Sequence, residues 1–180
     1  MNIFYIDRCP VAAAQGMVDR HVVKMILESA QLLSTAHRFL DGREVAGKSK
    51  TGRNAKRWVL DDSRDAVLYQ ATHINHPSAV WCRKSVQNYN WLVEHFFALG
   101  EEYTYRYGKT HKCFGELSIM LQSPPKNLTN YDMTTMPSAM APEYVVSEDP
   151  LENYRNYYRI GKARMHSWKK RQPPLWMFTL

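Results

Sequence analysis

The run VDRHVVKMILESAQLLSTAHRFLDG, residues 18–42, decides the fold class. Val18, Val22, Met25, Leu32, Ala36 and Phe39 recur at steps of three or four, with one gap at Ser29, and make an apolar helical stripe. His21, Lys24, Glu28, Gln31, Thr35 and Arg38 step at the same interval and make a polar one. The helical pattern reaches back to Val11, with Gly16 as a bend or helix start. Asp41-Gly42 closes it, Gly42 being suited to a left-handed cap.

On the N-terminal side, residues 2 to 6 read as a short strand or extended arm, and Asp7-Arg8-Cys9-Pro10 as a turn. On the C-terminal side, Gly42 to Asn54 has no periodicity, and the segment 42–57 reads as a basic loop. It carries Arg43, Lys48, Lys50, Arg53, Lys56 and Arg57 against Glu44 alone. Asp61 to Thr72 suggests a short helix. A second long helix is expected from His76-Pro77 to Tyr107-Gly108, with Gly100 a point of weakness, and a third from Asp149-Pro150 to about Lys170, with Gly161 a weak point. Asp149 should cap that helix in a box closed by Glu152. Residues 123–142 are Pro-rich and irregular. The expected fold is therefore mostly α: one compact domain, 1–180, of three main helices with long irregular loops.

The 180 residues suit one domain with a real core, and 44% hydrophobic residues exclude a disordered chain. No apolar run is long enough to span a bilayer, and the N-terminus has no signal-peptide pattern. Three widely spaced cysteines, Cys9, Cys82 and Cys113, fit a reducing compartment, so a cytoplasmic monomer is expected. A formal charge of +7 favours a polyanionic partner. Gly-rich phosphate loops and a GxSxG elbow are absent, which argues against nucleotide hydrolysis and serine-type acyl transfer.

Three clusters can carry chemistry. In the polar stripe, Glu28 has the position for a general base, His21 for an orienting group, and Lys24 stands one turn before Glu28. The plain alternative is a solvated face with a Lys24/Glu28 pair. Thr72-His73-Ile74-Asn75-His76-Pro77 has two histidines but no third metal ligand. No metal is expected there; His73, Asn75 and His76, with Arg83 and Lys84 beyond, suit an anion such as phosphate at a helix start. Finally, Arg155, Arg159, Lys162, Arg164, Lys169, Lys170 and Arg171 run without an acid, interleaved with Tyr154, Tyr157, Tyr158 and Trp168. Aromatics among basic residues suit nucleic acid, although the rings can equally be core.

Asp19-Arg20-His21 followed by Glu28, and His37-Arg38-Phe39 before Gly42, resemble the early helix of the phage pyrimidine-dimer DNA glycosylases of the endonuclease V type. Asn75-His76-Pro77 with Arg83-Lys84, and Trp168-Lys169-Lys170, resemble later motifs of that family. The resemblance implies a compact, mainly helical enzyme without metal or cofactor. Its partner would be double-stranded DNA, its catalytic residues Glu28 and His21, and its task repair. The family's nucleophile is a terminal α-amine. Here Asn2 is too large for efficient Met removal, so a Met1 start is expected, and Leu27 and Gln31 stand where the family has arginines. Small phage proteins also look similar, which implies the cytoplasm of an infected cell. Two other readings follow: a DNA-modifying transferase that adds an amino acid or other small amine to a modified thymine, and a non-catalytic DNA-binding protein. Gln31, Arg155, Arg159, Lys162, Trp168 and Lys169 complete the expected substrate and DNA contacts.

Overall fold

The computed structural model describes residues 1–48 and 51–178. Its axis is α2 (Asp19–Asp41), which packs against α5 (Val86–Tyr107), α6 (Lys112–Leu121) and α4 (Pro77–Cys82). The apolar stripe explains this: Val22, Met25, Ile26, Leu32, Leu33 and Ala36 are essentially inaccessible. Each such burial removes apolar surface from water and stabilises by about 1.5–3 kcal/mol for the larger side chains and less for Ala36. Residues 3–6 are also core, and α1 (Pro10–Gly16) lies along α5. Gly100 sits in mid-helix because an added Cβ would stand 2.5 Å from the Phe114 ring of α6. The chain is mostly α. Among the described residues no helix is long and apolar enough to cross a membrane.

Several expected elements are divided or shortened. The pattern from Val11 to Leu40 is two helices, parted at Met17-Val18, whose extended backbone ends one and starts the other. The long helix expected from His76 breaks after Cys82, since Arg83 leaves helical geometry and Ser85 caps Asn88 to start α5. Gly100 does not interrupt α5, and its left-handed C-cap is Gly108, at φ 70°. Gly42 instead has φ −89° and ψ 160° and runs directly into a strand. The 61–72 helix shrinks to α3 (Arg64–Val67), and α6 was not anticipated. The last long helix, α7 (Pro150–Arg159), ends before Gly161 and not at Lys170. Asp149 caps it through Leu151 N–H, but the Asp149 N–H donates to Ser147 Oγ, so Glu152 does not close a box. Residues 123–142 are irregular up to a short 3-10 turn at Pro142–Tyr144.

The largest correction concerns the basic segment 42–57. It is no loop but an antiparallel ribbon of β1 (Arg43–Lys48) and β2 (Asn54–Val59), with Arg43 opposite Val59 and Lys48 opposite Asn54. Lys50 of that segment lies outside the described residues. The ribbon's short alternation was masked by small and charged residues. It is tied down by Arg38, whose guanidinium is fully buried. Nη1 donates to Trp58 O and to Asp65 Oδ1, Nε to Tyr69 O, and Nη2 to Asp65 O and Leu68 O, all within 2.8 Å.

Arg38→Met should destabilise the protein by about 3–5 kcal/mol, because it strands buried carbonyls and Asp65 at once. Arg38→Lys should recover little, since one ammonium cannot reproduce the planar fork. Urea unfolding of both variants measures the effect.

Candidate active site

The polar stripe of α2 is not a solvated face. His21, Glu28, Thr35 and Arg38 are buried, Gln31 is half-buried, and only Lys24 stands in solvent. The N-terminal arm covers the first half of the stripe, at His21 and Glu28, while residues 58–72 cover Thr35 and Arg38. Asn2 organises that arm with every group it has: its side-chain oxygen accepts from Ile3 N–H and Phe4 N–H, and Nδ2 donates to Ala139 O at 2.7 Å. The turn this makes places Phe4 at φ 56°, in the left-handed region. Such a conformation costs about 1–2 kcal/mol in a non-glycine residue and persists only where the surroundings impose it. Here the Phe4 ring is stacked on His21, 4.2 Å between centroids, and on Tyr157.

The outcome of this folding is at Glu28. The backbone N–H of Asn2 donates to Glu28 Oε2 at 2.8 Å, while Lys24 Nζ stands 3.2 Å from Oε1. Both carboxylate oxygens therefore face a donor. His76 lies in the same neighbourhood. Burial pulls its imidazole below the usual value, the Met1 amino group and His73 push the same way, and Glu28 opposes them. His76 Nδ1 accepts from Ser78 N–H at 3.2 Å and so also caps α4. Beyond Pro77, a cavity of about 280 Å³ opens between Val80, Trp81, Lys84, Thr134 and Pro137.

His21 belongs to the arm's packing. Its Nδ1 and the Tyr158 hydroxyl share a 2.7 Å hydrogen bond, and Tyr158 is itself fully buried. Burial, reinforced by the nearby Lys162 and Lys24 charges, pulls the imidazole down to about 3, so the ring is neutral at working pH. His73 and Asn75 are exposed, His73 at φ 48° with its Nδ1 on Thr72 Oγ1. Arg83 lies over the Phe39 ring at 4.3 Å, and its Nη1 is buried with no hydrogen-bond partner among the described residues. Lys84 is exposed. Among the described residues no three His, Cys, Asp or Glu side chains gather as a metal site.

The C-terminal basic run borders the arm, with Lys162 Nζ 5.7 Å from the Phe4 ring centroid, and much of it is engaged within the fold. Arg155 donates to Ile6 O and faces Asp7 and Glu152. Arg159 donates to Trp176 O, and Arg171 pairs with the buried Glu102. Lys162 sits over Tyr157 at 4.5 Å and Lys169 over Tyr107 at 5.3 Å. The Trp168 indole donates to Gly16 O at 2.9 Å. Asn2, Phe4 and Tyr158 are absent from the sequence-based site, since neither periodicity nor charge marks them. The only trace is an apolar run, residues 3–6, next to one Asn.

Compared with protein-family models, curated proteins and solved structures, the chain has no match in any of the three. A functional reading therefore rests on the geometry of the site itself.

The buried imidazoles give the protein a defined acid limit. Burial holds His21 near 3 and His37 and His95 near 4, against 6.5 in the unfolded chain. As pH falls below 6.5, the unfolded chain takes up protons that the folded one refuses. Stability should therefore drop through the window from about 6.5 to 4, by up to about 1.4 kcal/mol per pH unit for each imidazole. Asp19 and Asp41, held below 3.8 mainly by hydrogen bonds to Ser167 and Arg64 that outweigh their burial, add a further loss only below that window. Urea midpoints at several pH values should show this, with a shallower dependence in His95→Phe.

Proposed function

We propose that this protein is an enzyme acting on a damaged or modified pyrimidine in double-stranded DNA, in the manner of the pyrimidine-dimer glycosylases, with Glu28 handling the proton. The observation that carries the reading is the environment of Glu28. A carboxylate on the central helix is only 9% exposed, yet an arm positions a backbone donor on it, and His76 stands near enough to feel its charge. A solubilising glutamate needs none of this.

In this reading a pyrimidine leaves the base stack and enters the space beyond Pro77, where Trp81 and Pro137 supply apolar walls. Glu28 takes a proton from the water that attacks C1′; the C1′–N bond breaks and the base departs with the electron pair. Lys24 steadies the carboxylate. His21 is a positioning residue: through Phe4 it fixes the arm whose amide rests on Glu28. Lys84, His73 and Asn75, all exposed, receive the strand, and Arg83 beside them adds positive potential. Of the C-terminal residues, Lys162 and Lys169 add positive potential while the arginines hold the fold together.

A specific feature also favours the transferase reading. Of the two nitrogens resting on Glu28, one is an amide and the other an ion-paired ammonium, and neither is a nucleophile as it stands. An amine supplied from outside, such as an amino acid, would fit that lack as well as water does.

The test uses duplexes carrying ultraviolet damage, abasic sites or modified thymines. The expected result is base release with little or no adduct trapped by borohydride, and a loss of about 10²–10⁴-fold in rate for Glu28→Gln with DNA affinity nearly unchanged. Incorporation of a labelled amine into DNA, without base release, would replace the glycosylase reading by the transferase. Strong trapping that vanishes when the Met1 amine is blocked would assign the attack to that amine. An active Glu28→Gln protein would remove the site assignment.

A further inference from the structure

The ribbon β1–β2 takes no part in the site just described, and its composition is unlike that of a structural hairpin. Cross-strand partners share a face, so Glu44, Ala46 and Lys48 lie with Trp58, Lys56 and Asn54, while Val45 and Gly47 lie with Arg57 and Ala55 on the other side. The second face is half-buried, and the Arg57 side chain lies across Gly47, where an added Cβ would stand 2.7 Å from its Cγ. On the first face only Trp58, at the root, is buried; Ala46, Lys48, Asn54 and Lys56 are all exposed. That face is thus two lysines and an asparagine set around a residue no larger than alanine. Glu44, paired with Lys56 at 2.8 Å, is the single acid among the described residues of that face.

A two-stranded ribbon whose strands lie about 4.8 Å apart is of a width that enters the DNA major groove, about 12 Å across. The slender middle at Ala46 lets the backbone approach the groove floor. Lys48 and Lys56 reach phosphates or guanine edges from either strand, and an asparagine amide matches the donor and acceptor of adenine. Lys48 Nζ donates to Asn54 Oδ1 at 2.6 Å, which leaves the Asn54 NH₂ as the donor for a base edge. The ribbon is also mounted rigidly. Trp58 packs against Phe39, and Arg38 holds Trp58 O at 2.7 Å. Both residues belong to the helix that carries Glu28, about 16 Å back along its axis at about 1.5 Å per residue.

We infer that this face of the ribbon is a groove-docking element: Ala46, Lys48, Asn54 and Lys56 enter the major groove of duplex DNA on one flank of the base presented to Glu28. The inference rests on the DNA-directed reading above, and it adds a second, sequence-sensing contact about five base pairs from the reacting base, at about 3.4 Å per step. It also implies a preference for B-form DNA over duplex RNA, whose major groove is too deep and narrow for a ribbon.

The experiment measures binding of the full-length protein to a 24-base-pair DNA duplex and its RNA counterpart across a salt series, with guanine N7 methylation protection on the DNA. Lys48→Glu combined with Lys56→Glu should weaken DNA binding by at least about tenfold and lower the salt slope by about 0.9 for each phosphate that is no longer neutralised. Ala46→Phe adds bulk without changing charge and should weaken DNA binding at an unchanged slope. All three positions are exposed, and far-UV circular dichroism confirms that the variants fold. If the wild type binds DNA and the charge-reversed variant binds equally well, the ribbon inference falls while the DNA reading stands. Unaltered affinity in Ala46→Phe, no N7 protection, or equal affinity for duplex RNA would reduce the ribbon to a general phosphate-binding surface and overturn groove docking. If the wild type binds no DNA at low salt, the DNA reading itself fails, and the ribbon inference with it.

Discussion

A fully buried arginine is the constraint around which one end of the molecule is built. Arg38 brings a permanent charge into the core, and such a charge is tolerated only when its donors are met. Here carbonyls from Trp58, Asp65, Leu68 and Tyr69, with the Asp65 carboxylate, converge on it. Those carbonyls belong to the end of β2, to the four-residue helix α3 and to the residues just after it, where regular backbone partners are few. One side chain therefore replaces the hydrogen bonding that a larger sheet would supply, and it fixes the ribbon and residues 60–72 to the central helix together. Arg106 does the same at the other end, bonding Glu102, Asp19 and the Gln15 carbonyl and so linking α5 to α1 and α2.

Between these two anchors lies the arm. Residues 3–6 have side chains to bury, and burial alone would permit many paths across α2. The path taken is set by Asn2, whose side chain bonds its own following backbone, as short amides do in turns, and by Phe4, which accepts a left-handed backbone while stacking on His21. The Asn2 amide reaches Glu28 as a result of both. The environment of Glu28 is thus assembled from residues 26 positions away in the chain, and the packing of His21 and Tyr158 is coupled to it through one aromatic ring.

Charge is distributed in a way that composition conceals. Arg38, Arg64, Arg106, Arg155 and Arg171 are held by internal acids, while Lys48, Lys56 and Lys84 carry their ammonium groups outward. The guanidinium, planar and weakly hydrated, suits the interior, and the strongly hydrated ammonium suits the surface. The division is not complete, since Arg8, Arg20, Arg43, Arg53 and Arg164 are exposed and share the surface charge with the lysines.

The sequence by itself determined the helical class, the central helix and its two stripes, the Pro150 helix start with its Asp149 cap and the irregular stretch 123–142. All of these rest on interactions within a few residues, where periodicity and turn chemistry act. It also marked Glu28 and His21 as neighbours on one helix face, because a fixed rise and twist impose that. What only the tertiary structure decided was which stripe would meet solvent. The polar stripe is buried because the N-terminal arm covers His21 and Glu28 and residues 58–72 cover Thr35 and Arg38, and local pattern holds no information about the path of either segment. The ribbon escaped notice for a related reason. Its strands pair with each other over a turn but are stabilised by a buried arginine and a tryptophan root, while their own residues are too small and too charged to show a clear alternation.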